Sequence, residues 1–283
     1  MISIFHKVSQ ECSKITTQKY STSFASAIGL LHRDLRTPIY NIYGLVRFAD
    51  EIVDTFHNYP KKELLEQFKN ETLQAIERGI SLNPILHSFQ ITANKYQLDT
   101  TLIMDFFSSM EMDLDLAHCD KSLYEKYIYG SAEVVGLLCL QVFCEGDKEI
   151  YEQLKPYAQS LGAAFQKVNF LRDVKSDFLE LERVYFPGVD FRQFDMNDKL
   201  KIEQDIEQDF DQALLGILNL PIKARFGVYV AYRYYRSLFN KIRTLRPERI
   251  LQERVRIPGY QKMAILIQAS LSNNFSIAPG SRI

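Results

Sequence analysis

Apolar residues return every three and four positions through most of the chain, as at Leu64, Leu65, Phe68, Leu73 and Ile76, whereas strictly alternating runs are scarce. That period predicts helices throughout, so the expected fold class is all-α. The breaks fall where helix chemistry puts them. Pro38 is expected in the first turn of an apolar helix running to Phe56; Tyr59-Pro60 ends one helix and Ser81 to Pro84 starts another. Cys144 to Asp147, with Gly146, separates two long helices. Phe186 to Asp198 reads as irregular around Pro187 and Gly188, and the segment from Ser272, with Pro279 and Gly280, as frayed.

No repeat of solenoid length recurs, so the helices are expected to pack as one irregular bundle around a central cavity. The expected organisation is a single domain over residues 1–271 followed by a flexible tail, 272–283. Small residues cluster at Gly130, Ser131, Ala132 and Gly136, and again at Gly162, Ala163 and Ala164. Helical glycine costs about 1 kcal/mol relative to alanine, so such clusters indicate either close helix approach or space for a ligand. The sequence leaves both open.

Composition narrows the function. A chain of 283 residues buries a sizeable core. With 34 basic against 35 acidic residues nothing suggests a nucleic-acid partner whose phosphates would need a basic face, and any anion binding must be local. Cys12, Cys119, Cys139 and Cys144 form no CxxC pair and are too sparse for a disulfide framework, which points to reduced thiols in the cytoplasm. The N-terminal MISIFHKVSQECSK lacks the apolar stretch of a signal peptide, and the longest uncharged apolar run, Val134 to Cys144, is too short to span a bilayer. His6, His32, His57, His87 and His118 show no zinc spacing, and no Gly-rich dinucleotide fingerprint follows a strand.

Two acidic clusters carry the candidate chemistry. In the first, Asp50 and Asp54 lie four apart on one helix face, with Arg47 one turn before Asp50. Two carboxylates and a guanidinium pointing together suit a magnesium ion and the phosphate it bridges. In the second, Gln166, Asn169, Asp173 and Asp177 follow spacings of three, four and four beside Arg172, on a helix otherwise made of Val168, Phe170, Leu171 and Val174. A polar stripe on so apolar a helix is costly unless something satisfies it. Asp205 and Asp209 repeat the spacing among charged neighbours and read as a solvated face, so spacing alone is weak evidence.

These segments together resemble the squalene/phytoene synthase family of head-to-head prenyl synthases. Tyr20-Ser21-Thr22-Ser23-Phe24 is similar to its Ser-x-Ser-Phe segment, with Tyr20 where several bacterial members have histidine. Ile39 to Asp54 resembles the segment ending in its first aspartate-rich motif, with Glu51 in place of an aspartate. Tyr127 to Gly136 resembles its tyrosine-rich signature, and Gln166 to Asp177 its second aspartate-rich motif. Arg183 to Pro187 is similar to the exit from that helix, Glu182 standing where many members have glycine, and Arg254-Val255-Arg256 resembles the basic C-terminal element. The resemblance runs in order from about Tyr20 to Lys262.

The resemblance implies the isoprenoid synthase fold and condensation of two geranylgeranyl diphosphates to phytoene through a cyclopropylcarbinyl diphosphate, most like bacterial phytoene synthase. Alternatives are a squalene or dehydrosqualene synthase acting on farnesyl diphosphate, and a non-catalytic relative serving in assembly or binding. It implies that Asp50, Asp54, Asn169, Asp173 and Asp177 hold Mg²⁺, with Mn²⁺ as a substitute. It further implies that Tyr20, Ser21, Phe24, Arg47, Gln166, Asn169, Arg172 and Arg254 bind substrate, and that Tyr127 and Tyr235 join the aspartates in catalysis. Phe24, Tyr127 and Tyr235 are the aromatics expected to face a carbocation, the two tyrosines alternatively binding diphosphate through their hydroxyls. The partners implied are prenyl diphosphates, with no nucleic acid. An enzyme releasing so apolar a product is expected in the cytoplasm with peripheral membrane contact, which failure to associate in liposome flotation would count against.

Overall fold

Residues 2–115, 120–179 and 184–271 are described by the structure, a computed structural model. His118, Cys119, Glu182, Arg183 and the expected tail from Ser272 lie outside them. The elements are α1 (Ile2–Tyr20), α2 (Thr22–Ile28), α3 (Arg33–Thr55), α4 (Lys61–Arg78), α5 (Pro84–Tyr96), α6 (Thr100–Asp115) and α7 (Lys121–Ile128), then a π-helical turn (Tyr129–Glu133). There follow α8 (Val134–Cys144), α9 (Lys148–Leu179), a 3₁₀ turn (Phe191–Gln193), α10 (Met196–Asn219), α11 (Ile222–Arg243), α12 (Pro247–Ile250) and α13 (Gly259–Leu271). No strand occurs among the described residues, as the apolar period predicts.

Local chemistry sets the boundaries. Asn83 accepts the N–H groups of Ile85 and Leu86, and Pro84 fills the first turn, where no N–H is needed. Ser21 caps α2 by accepting the N–H of Phe24, which fixes where that ring points. Pro38 departs from expectation: α3 starts at Arg33, so the proline lies in its second turn. The loss there is one backbone hydrogen bond to Asp34, and the buried apolar run from Leu35 to Leu45 more than offsets it.

The 32-residue α9 is the centre of the bundle, packing on α7, α8, α10, α11 and the π turn. Gly162 lets α9 approach the carbonyl of Ala132, where a Cβ would stand 2.6 Å from the oxygen, and Gly136 approaches the carbonyl of Ala158 in the same way. Helices α9 and α10 run antiparallel, and the buried Lys167 ties them with Nζ 2.6 Å from Asp205 and 2.8 Å from Asp209. That corrects the solvated reading for Asp209, which is half-buried in a helix seam where burial raises its carboxyl pKa against the pull of Lys167, while Asp205 is exposed as expected.

One contiguous apolar core links α3, α5, α6, α8, α9, α10 and α11, and a smaller one, Val230, Tyr234, Ile265 and Ala269, joins α11 to α13. The continuous rod Lys121–Cys144 is long and apolar enough to cross a membrane by length and composition, but 61% of its most apolar 18-residue stretch is buried in the protein. Its hydropathy is that of a core helix apolar on most sides.

Candidate active site

On α3 the side chains of Tyr43, Arg47, Asp50 and Asp54 follow one stripe. The Arg47 guanidinium donates to Asp50 at 2.5 Å and to Glu51 at 2.6 Å, and the Tyr20 ring covers it at 4.4 Å. Burial raises the Asp50 carboxyl to about 7; Asp54, Asp113 and Glu51 push it the same way and Arg47 opposes them. The side chain nevertheless keeps 36% of its surface open, so it sits at a rim. Tyr43 is pushed up to about 12 by burial, again against Arg47.

The second stripe lies on α9. Arg172 grips Asp173 at 2.5 Å, and Arg254, from the loop before α13, reaches the same carboxylate at 2.7 Å. Burial works against the charge of Arg172, but Asp173 outweighs it and the guanidinium pKa is raised. Tyr235 on α11 donates to Asn169 at 3.3 Å.

Between the stripes opens a cavity of about 460 Å³. Of the residues singled out in the sequence, Tyr20, Ser21, Phe24, Arg47, Asp50, Tyr127, Gln166, Asn169, Arg172, Tyr235 and Arg254 line it. Asp54, Asp173 and Asp177 do not form its wall; Asp177 borders a separate small hollow with Phe178 and Phe191. Just inside the rim, Phe165 stacks on Tyr235 at 3.9 Å, with Phe24 5.6 Å from Tyr235 and 5.8 Å from Tyr43. Tyr127 lies 5.3 Å from Tyr185, whose hydroxyl donates to the buried Asp113 at 3.0 Å. Burial raises the Tyr127 hydroxyl well above its ordinary range, and Asp113, Tyr185, Asp50 and Asp54 add to the effect.

Sequence reasoning missed Tyr43, Asp113 and Phe165. Tyr43 stands four before Arg47 and extends its stripe, a signal available in the spacing. Asp113 had none, since it sits on an apolar helix with its partners elsewhere in the chain.

The chain matches the squalene/phytoene synthase family over residues 17–261 and belongs to it. Members of this family are prenyltransferases that join prenyl diphosphates head to head, and this chain is such an enzyme. It is 25% identical over 280 residues to a 4,4'-diapophytoene synthase of Staphylococcus haemolyticus, covering 90% of this chain and 94% of that enzyme. It is 28% identical over 178 residues to a phytoene synthase of Mycobacterium bovis, covering 60% of this chain and 55% of that enzyme. Its fold is that of a dehydrosqualene synthase (TM-score 0.82, 20% identity, 94% and 96% of the two chains). A squalene synthase of Alicyclobacillus acidocaldarius shares it (TM-score 0.74, 19% identity, 85% and 95%).

The family uses divalent ions to bind diphosphate. Among the described residues no three His, Cys, Asp or Glu side chains form a ready metal cluster. Magnesium seldom needs one, since it takes one or two carboxylates and completes its shell with phosphate and water. The residues present fit that mode. Burial first, and then the neighbouring carboxylate of Asp54, lift the pKa of Asp50, and the buried Nε of Arg47 has no acceptor, leaving an N–H for an anion.

Proposed function

We propose that this enzyme condenses two geranylgeranyl diphosphates to phytoene. The observation that supports it is the length of the cavity wall. On α9 alone the lining runs from Arg172 to Leu154, eighteen residues apart, or about 27 Å of helix. An extended geranylgeranyl chain spans roughly 20 Å and a farnesyl chain roughly 14 Å, at about 1.3 Å of advance per C–C bond along a zigzag. The wall is apolar below the rim, with Ala132, Gly136, Ala158 and Gly162 among its lining residues.

Arg47, Arg172 and Arg254 bind the diphosphates by charge-assisted hydrogen bonds. Asp50, Asp54, Asn169, Asp173 and Asp177 would hold Mg²⁺, for which Mn²⁺ could substitute, and the ion would supply positive charge to the diphosphate leaving group. Loss of diphosphate from one substrate leaves an allylic cation, which the double bond of the second attacks. Proton loss closes a cyclopropylcarbinyl diphosphate; its ionisation, rearrangement and a second proton loss give the hydrocarbon and release the second diphosphate. The faces of Phe24, Phe165 and Tyr235 stabilise positive charge without trapping it, and Tyr127 with the apolar wall keeps water away. Tyr20 covers Arg47, and Ser21 and Gln166 border the diphosphate end.

A farnesyl-using, C30 reading has its own support in the likeness to 4,4'-diapophytoene synthase along nearly the whole chain. Incubation with Mg²⁺ and each diphosphate, without NADPH, followed by mass spectrometry separates the two. A C40 hydrocarbon from the C20 substrate is expected. A C30 product alone would transfer the assignment to farnesyl diphosphate, and no hydrocarbon from either, with or without NADPH, would sink both.

A further inference from the structure

The end of the cavity farthest from the acidic rim is assembled by helix register. Because α9 and α10 run antiparallel, Lys167 meets Asp205 and Asp209 toward the rim, while Tyr157 meets Gly216 ten residues further in. Helix α8 is also antiparallel to α9, as the Gly162–Ala132 and Gly136–Ala158 contacts show, and the same register carries Phe143 beyond the level of Tyr157, to the far end of the lining. Together with Leu154, Ile217 and Leu220 these side chains close an apolar end in which Tyr157 is the one phenol among the described residues.

Tyr157 is held there by shape. A Cβ at position 216 would stand 2.1 Å from the Tyr157 Cβ and 2.7 Å from its Cγ, so the tyrosine occupies the space that any larger residue at 216 would need. Its position also matches a length. Tyr157 precedes Arg172 by fifteen residues, about 22 Å of helix, close to the span of an extended C20 chain whose diphosphate rests at the rim.

We propose that Tyr157, seated on Gly216, sets the longest prenyl chain the cavity accepts; this rests on the prenyl condensation proposed above. Farnesyl, geranylgeranyl and C25 prenyl diphosphates competing in one reaction give the ratio of kcat/KM for C25 to C20. Tyr157→Ala is expected to raise that ratio at least about tenfold, the scale on which apolar pockets discriminate by size. Tyr157→Leu should move it less in the same direction, and Tyr157→Phe should leave it unchanged. Tyr157→Leu serves if the alanine variant does not fold.

A second readout needs no turnover. Thermal shifts with non-reacting thiodiphosphates should grow with chain length up to C20 in the wild type and on to C25 in Tyr157→Ala. Unchanged ratios and unchanged length dependence in both Ala and Leu variants would overturn the role of Tyr157. Absence of hydrocarbon from the wild type would instead strike the proposed reaction, leaving the thermal shifts to decide this point.

Discussion

Asp50 is a carboxyl that the fold makes reluctant to ionise. With its pKa raised to about 7 from an ordinary 3.8, the folded state binds more protons than the unfolded chain between those values. Stability therefore falls as pH rises through that window and levels off above it. Asparagine carries no charge at either end, so Asp50→Asn in EDTA is expected to gain on the wild type in Tm as pH rises, with a larger difference at pH 8 than at pH 5. The partial exposure of Asp50 limits the size of the gap but not its sign. An equal difference in Tm at both pH values would rule out a raised Asp50 pKa as its cause. The same variant should lose at least about a hundredfold in kcat, the scale of one electrostatic contact made in the transition state. The Arg47–Asp50 pairing was legible because spacings of three and four put both on one face. Asp113 was not, since its partner Tyr185 lies 72 residues away, whereas Tyr43, four before Arg47, could have been read from the same spacing.

Helix α1 docks through an unusual face, its buried residues being Ser9, Ser13 and Thr17. Ser13 meets Ser88 at 2.6 Å, and near the helix start His6 Nδ1 lies 2.8 Å from Nε2 of the fully buried His87. The backbone N–H of Ser81 points at His87 Nδ1, which makes that nitrogen an acceptor and leaves Nε2–H to donate to His6. A proton added to either ring sets donor against donor. Burial and then His6 lower the pKa of His87 below 6.5, so the unfolded chain protonates first. The contact is at full strength above 6.5 and is lost as pH falls through the lowered value. Amide exchange in α1, corrected for intrinsic rates, should accelerate between pH 7.5 and 5.5 while α9 stays protected; parallel behaviour of the two helices would refute a local latch. Elements whose ends depend on neighbouring residues were readable, as at Asn83-Pro84. Those decided by distant packing were not: Pro38 entered a second turn, and Asp209 found a buried lysine.

At the scale of the whole molecule, periodicity made the all-α bundle plain, but the cavity depended on which small residues face inward. Gly136 and Gly162 turned out to serve both roles the sequence left open, admitting a neighbouring backbone and lining the space. The two polar stripes meet across that cavity with their charges already spent on each other: Arg47 on Asp50 and Glu51, Arg172 and Arg254 on Asp173. A diphosphate arriving alone must pull guanidiniums from carboxylates and strand the acids. A divalent ion alone must compete with those guanidiniums. Arriving together, the ion takes the carboxylates while the phosphates take the arginines, and no charge is left uncompensated. Binding is therefore expected to be cooperative and reciprocal, each ligand tightening the other by at least about tenfold, or roughly 1.4 kcal/mol. Titration calorimetry of inorganic diphosphate with and without Mg²⁺, corrected for the complex the two form in solution, measures that coupling. Arg254→Gln should weaken diphosphate binding and reduce the coupling, because it frees Asp173 from one of its two guanidiniums. Equal diphosphate affinity with and without Mg²⁺ would mean that the arginines bind phosphate without releasing their carboxylates, and the exchange of partners across the cavity mouth would have to be abandoned.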